Sequence, residues 1–79
     1  MSGVPTEWYW MVWFRGGFHP DGEWMAWGYS YSFTRSESIQ TVRDFWKDDP
    51  TWWRKHRRKG VVKCVRTTLV MGHEQEVHQ

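Results

Sequence analysis

Residues 7–15 read EWYWMVWFR, and this run constrains everything the chain can build. Trp8, Trp10, Val12 and Phe14 alternate with Tyr9, Met11 and Trp13. Aromatic and β-branched residues without a helix signal favour extended backbone, so the run predicts a strand. That strand is apolar on both sides. It belongs in the centre of a sheet, or it leaves a sticky face for a partner. The apolar stretch within it is far shorter than the ~20 residues that cross a bilayer.

The rest of the chain punctuates itself. His19-Pro20-Asp21-Gly22 is turn chemistry, with proline presetting one dihedral and glycine closing the turn. Residues 23–34 follow as a second alternating strand. Met25, Trp27, Tyr29, Tyr31 and Phe33 form its bulky face, and Ala26, Gly28, Ser30 and Ser32, with Trp24 at the start, form the small one. The bulky face is expected to pack the core. Thr34-Arg35-Ser36-Glu37 fits a capping box, with Glu37 reaching back to a backbone N–H and Ser36 as a competing cap. Ile39, Val42, Phe45 and Trp46 then recur at helical spacing, and Pro50 ends this helix near Lys47. Asp49 reads as the N-cap of a second helix with Pro50 at its first position. That helix runs to Lys59 and closes on Gly60. Residues 61–71, VVKCVRTTLVM, predict a third strand, and residues 72–79 a polar, flexible tail.

This order implies a single small α+β domain over residues 1–79. It has two layers: a three-stranded antiparallel sheet, β-β-α-α-β in spatial order 2-1-3, packed on one or two helices. The aromatic content is eight Trp, three Tyr and four Phe. One sheet face and one helix stripe cannot hide so many rings, so some are expected at the surface as a partner or self-association site. Trp8 and Trp10 are candidates, or Trp13 if the faces are reversed.

Charge is polarised. Residues 1–50 hold four Lys/Arg against seven Asp/Glu, a net of −3, and residues 51–79 hold seven against two, a net of +5. The positive charge is densest in DPTWWRKHRRKG, residues 49–60. One or two cations complement a helix C-terminus. Five repel one another unless something anionic relieves them. The expected partner-binding residues are Trp52, Trp53, Arg54, Lys55, Arg57, Arg58 and Lys59, with Lys63 and Arg66 on the next strand. The two tryptophans could stack on bases, or one could anchor in a protein pocket while the other packs inward.

Catalytic patterns are absent from the sequence. Cys64 is the only cysteine and sits among Val62, Lys63 and Val65, as a buried structural thiol would. Reactive thiols want an exposed electropositive niche instead. A lone thiol excludes an intrachain disulfide and fits a reducing cytoplasm. His73 and His78 with Glu74 and Glu76 lack metal-site spacing, and Gly16-Gly17 lacks the strand-loop-helix context of a phosphate loop. Asp48-Asp49 is explained by capping rather than by an acid-base pair. No enzyme activity, cofactor or metal is expected. MSGVPTEW has no basic head before an apolar run, so no signal peptide is expected either.

The element order and the closing strand VVKCVRTTLV resemble small phage-encoded inhibitor proteins, among them phage inhibitors of host RNA polymerase and the anti-CRISPR proteins. The likeness covers most of the chain, rests on size, element order and composition, and carries no site residue across. It implies a non-enzymatic inhibitor in the bacterial cytoplasm. Such a protein binds a host protein or nucleoprotein complex, in the anti-CRISPR case blocking target-DNA binding by a type I surveillance complex. Many such inhibitors mimic DNA with an acidic surface, whereas the densest charge here is positive. The alternative from composition alone is a small basic module that binds nucleic acid without sequence preference. Self-association as a homodimer through a Trp-rich sheet face is compatible with either.

Overall fold

A computed structural model describes residues 8–77. The leader reading of residues 1–7, Glu7 as a strand residue, and His78 all lie outside the described residues. The elements are β1 (Tyr9–Arg15), β2 (Trp24–Ala26), α1 (Arg35–Phe45), α2 (Trp52–Lys59), β3 (Val62–Val70) and β4 (His73–Glu76). They form one antiparallel sheet in the order β2-β1-β3-β4. The α+β class and the central position of β1 follow the sequence.

The sheet has four strands, not three. Residues 73–76, expected in a flexible tail, pair with β3 from Thr67↔Glu76 to Val70↔His73. The hairpin turns on Met71 and Gly72, both at positive φ (53° and 83°). Two such residues in succession make the turn type whose twist matches paired strands.

Both helices lie on one face of the sheet. Val12, Val62 and Cys64 from the strands, Val42 from α1 and Trp52 from α2 form the buried core with Val61. Trp10, Phe14, Phe18, Trp27, Ile39, Trp46 and Trp53 pack around them. The other face carries Tyr9, Met11, Trp13 and Arg15 of β1, with Trp24 of β2 and Lys63 and Val65 of β3 opposite them.

The second strand departs most from expectation. Only residues 24–26 pair as a strand. Gly28–Ser30 form a 3₁₀ turn, and pairing resumes at Ser32 opposite Trp10. Between the Trp13↔Ala26 and Trp10↔Ser32 pairs the second segment carries three extra residues. An odd insertion into a period-two pattern exchanges the faces of everything beyond it. Of the bulky set, Trp27 alone reaches the core. Met25, Tyr29, Tyr31 and Phe33 are exposed, Tyr29 and Phe33 to 85% and 79%.

Ser30, from the supposed small face, is fully buried instead. Its hydroxyl accepts the Val12 N–H (2.7 Å) and donates to the Trp27 carbonyl (2.6 Å). It thereby replaces the missing ladder partner of β1. The Ser30 carbonyl accepts the hydroxyl of Ser38 on α1 (2.6 Å), which ties the helix to the loop.

Helix boundaries follow the punctuation closely. Thr34 caps α1, its hydroxyl oxygen accepting the Glu37 N–H at 3.2 Å. The Glu37 carboxylate accepts the Thr34 hydroxyl (2.7 Å) rather than the Thr34 backbone N–H. In the first hairpin the Gly22 N–H donates to the His19 carbonyl (2.9 Å), closing the expected turn. A side chain on Gly22 would strike the Gly16 backbone.

Candidate functional site

Helix α2 is positioned from both ends. Before it, the Asp49 carboxylate accepts the Thr51 N–H (3.2 Å) and hydroxyl (2.8 Å), and the Asp49 carbonyl accepts the Trp52 N–H (3.0 Å). The N-cap position itself is Thr51, two residues later than expected, because Pro50 and Thr51 form a turn before helical geometry sets in. Asp49 caps that turn, and its carboxylate pairs with Lys55 at 2.8 Å. The hydrogen bond from Lys55, followed by that from Thr51, holds the Asp49 carboxyl below the ordinary carboxylate range. At the far end Gly60 adopts φ 76°, and its N–H donates to the Arg57 carbonyl at 3.0 Å, the left-handed cap the sequence predicts.

The inward side of α2 is an aromatic stack. Trp52 lies flat between Trp46 (4.9 Å, 6° between planes) and His56 (4.1 Å, 20°). Phe18 and Trp27 meet it edge-on at 5.6 and 6.3 Å. The His56 Nδ1 is 2.8 Å from the Trp52 carbonyl oxygen, which can only accept, so Nδ1 carries the proton. Trp52 is 6% exposed. Truncating so buried an indole costs about 3–5 kcal/mol in comparable cores. Trp52 is therefore a core residue here, with no ring face turned to a partner. Trp53 is half-buried against the core, with the Arg57 guanidinium 5.9 Å from its ring.

The outward side is cationic. Arg54, Lys55, Arg57, Arg58 and Lys59 are all exposed. Lys55 is tied to Asp49, but Arg54, Arg57, Arg58 and Lys59 have no carboxylate partner among the described residues. Residues three and four apart share a helix side, which brings Arg54 together with Arg57 and Arg58.

The two strand cations do not join this cluster. Lys63 alternates with Val62 and Cys64, which enter the core, so it points to the opposite side of the sheet. There it pairs with Glu76 (2.8 Å) and lies over the Trp24 ring at 4.2 Å. Arg66 stands opposite Trp10, its guanidinium 5.3 Å from the Trp8 ring. The alternation in VVKCVR already carries this separation for Lys63, once Val62 and Cys64 are taken as core; Arg66 falls on their face and is set apart by its position along the strand, opposite Trp10 rather than at the Phe14 end.

Two further features lie outside the expected site. On the face away from the helices, Arg15 packs 4.5 Å over Trp24 and donates to the Gly22 carbonyl (2.9 Å). The Trp13 indole N–H on the same face donates to the Thr67 hydroxyl (2.9 Å). The second feature is the 28–33 loop, whose Tyr31 contacts Tyr9 (4.6 Å) and Phe33 (5.8 Å).

Cys64 is buried, and its thiol faces the Arg35 carbonyl at 3.9 Å. Burial raises its pKa, the opposite of what a nucleophile requires. Among the described residues no three His, Cys, Asp or Glu side chains converge as a metal site would need, and no helix is long and apolar enough to cross a membrane. No known protein family, no curated protein and no solved structure matches this chain.

Proposed function

We propose that the protein is a non-enzymatic binding protein that docks through the outward side of α2 on a polyanionic partner, nucleic acid or a nucleoprotein complex. The observation behind it is the division of α2. Trp52 and His56 are committed to the core, so the exposed side is left with cations, and the one ring beside them, Trp53, is half-buried. A protein-protein hot spot is usually centred on a side chain that fills a desolvated pocket, whereas the arginines here are spread along an exposed helix. A row of exposed cations instead suits phosphates, whose binding depends on charge and salt rather than on shape. The buried lone thiol fits a reducing compartment, and we place the protein in the cytoplasm of a bacterial host.

The test is the pair Arg57→Glu and Arg58→Glu. Both side chains are exposed, and the Arg57 contact with Trp53 is worth about 1 kcal/mol or less at such a site. The double variant should keep the melting temperature of the parent within a few degrees and should pass through a heparin column that retains the parent. Equal retention of the two proteins would remove α2 as the docking surface.

A second reading is favoured by the 28–33 loop. Tyr29, Tyr31 and Phe33 are displayed on backbone fixed by Ser30, a presentation that suits a protein partner. It accords with an inhibitor of a nucleoprotein machine, of the anti-CRISPR kind that keeps target DNA from a type I surveillance complex. Pull-down from a bacterial lysate with mass spectrometry, repeated with Phe33→Ser, reads this surface independently of α2.

A further inference from the structure

We infer that the 28–33 loop and the adjoining end of the sheet dock a basic, arginine-bearing segment of a partner protein. The inference rests on the second reading above, that this loop meets a protein, and supplies the chemistry of what it meets.

The sheet register brings the surface together. Ser32 exchanges both backbone hydrogen bonds with Trp10 (2.8 and 3.0 Å), so the two share the helix side of the sheet. Tyr31 and Phe33, one residue to either side of Ser32, face the other way. Tyr9 is on that face, and Tyr31 contacts both Tyr9 (4.6 Å) and Phe33 (5.8 Å). The last two strands extend the surface. Thr67 stands opposite Tyr9, Leu69 follows two residues later on the same face, and Glu74 is the partner of Leu69. Glu76 reaches Lys63 on this face, which puts Glu74, two residues before it, there as well. Tyr31, Phe33, Leu69 and Glu74 are all exposed. Burial, followed by the field of Glu74, pushes the Tyr9 phenol up, so the carboxylate is close enough to act on that ring.

Elsewhere the chain sets its own cations against its rings. Arg66 lies by Trp8, Arg15 and Lys63 by Trp24, Lys63 also by Trp13, and Arg57 by Trp53. Among the described residues no cation lies over Tyr9, Tyr31 or Phe33, and Glu74 has no ion-pair partner. The charged groups around them are placed otherwise. Lys63 is paired with Glu76. Arg66 and His73 alternate onto the helix side of their strands. Arg35 and Glu37 belong to the first turn of α1, where the Glu37 carboxylate accepts the Thr34 hydroxyl. The cations of α2 adjoin the other end of β1, where the Arg15 Nε donates to the Gly60 carbonyl (3.3 Å). That end is about 20 Å from Tyr9. Salt at 0.1 M screens exposed charges over about 10 Å, so α2 does not offset Glu74. Exposed rings beside an exposed carboxylate complement a guanidinium, which stacks on aromatic faces and pairs with carboxylates. Proteins that hold nucleic acid do so with lysine and arginine. A nucleoprotein partner therefore offers phosphates to α2 and arginines to this face.

The experiment follows the isotope-labelled full chain by NMR as two peptides are added. One carries arginines spaced by Gly-Ser. The other carries citrulline in their place, which keeps the shape and removes the charge. The arginine peptide should move the amide signals of Tyr9, Tyr31, Phe33, Leu69 and Glu74 to saturation, and the citrulline peptide should leave them in place. Glu74→Gln should weaken binding about two- to fivefold. Phe33→Ser should do so by about the same factor, and the two together on the order of tenfold. Circular dichroism of each variant should overlay the parent. Equal responses to the two peptides would overturn the basic partner. So would arginine shifts centred on Asp21 and Glu23 or on Asp44 and Asp48, or no shift at the five residues. Signals there that move with protein concentration alone would assign the face to a second copy and overturn it too. The loop reading fails by a different result. Lysate capture unchanged by Phe33→Ser would remove the loop as a docking surface and this inference with it. Capture lost with Phe33→Ser but kept with Glu74→Lys would overturn only the basic partner.

Discussion

Ser30 closes the gap in the ladder where β2 leaves the sheet. Where β2 leaves the sheet, the Val12 N–H would otherwise point into the core without a partner, and Val12 is itself fully buried. The Ser30 hydroxyl fills that place and spends its own proton on Trp27. Ser30→Ala should therefore cost about 1–3 kcal/mol, because the lost hydroxyl orphans a buried donor. In a chain this small that is a fall in melting temperature on the order of 10 °C. Ser36→Ala, at an exposed position whose side chain caps nothing, should move stability by no more than about 0.5 kcal/mol. Thermal unfolding followed by circular dichroism separates the two. From the sequence the two serines cannot be ranked this way. Ser30 and Ser32 alternate with Tyr29, Tyr31 and Phe33, and small hydroxyl residues between bulky rings read as the solvent side of a strand. Only the three-residue excursion reverses the assignment, and nothing local beyond Gly28 announces it.

At the scale of elements, the helices were legible and the strands less so. Pro50 and Gly60 bracket α2, and Thr34 with Glu37 marks the start of α1, because proline, left-handed glycine and a capping hydroxyl act through local geometry. The fourth strand was hidden because Met71-Gly72 is not a typical hairpin dipeptide and HEQE is polar, whereas pairing with β3 needs only a free edge. The same contrast divides the expected site. The cationic stretch was visible as composition, but Trp52 and Trp53 were adjacent in sequence and only the stack with Trp46 and His56 separates their roles. The start of α2 makes a pH-dependent prediction. Asp49 has a depressed pKa through Lys55 and Thr51, so its contribution is present at neutral pH and is lost as pH falls through its folded pKa. Asp49→Asn should lower the melting temperature slightly at neutral pH, and the gap to the parent should close in acid. Added salt should narrow the gap as well, since the pair is exposed. A gap that widens on acidification would contradict the Lys55–Asp49 assignment.

Over the whole molecule, the order β2-β1-β3 was readable from the two-sided apolar character of β1 and the helical connection before β3. What the sheet does with its second face was not. Tryptophans were expected there as a bare adhesive surface. Trp24 instead has two cations over its ring, Arg15 at 4.5 Å and Lys63 at 4.2 Å, and Lys63 is itself paired with Glu76. Charges set among indoles interrupt the contiguous apolar area that a stable homodimer buries. Size-exclusion chromatography with light scattering at micromolar concentration should therefore return the mass of one chain, and a dimer that Trp24→Ser dissolves would show that the face is adhesive after all. The excursion between Ala26 and Ser32 has a consequence for how such a protein can diversify. Because an odd number of residues is looped out, side chains before and after it answer to opposite neighbours. Lineages could lengthen or shorten the loop in steps of two and keep that arrangement. A step of one would turn the segment inside out, carrying Tyr31 and Phe33 toward α1 and leaving the displayed rings with nothing to display.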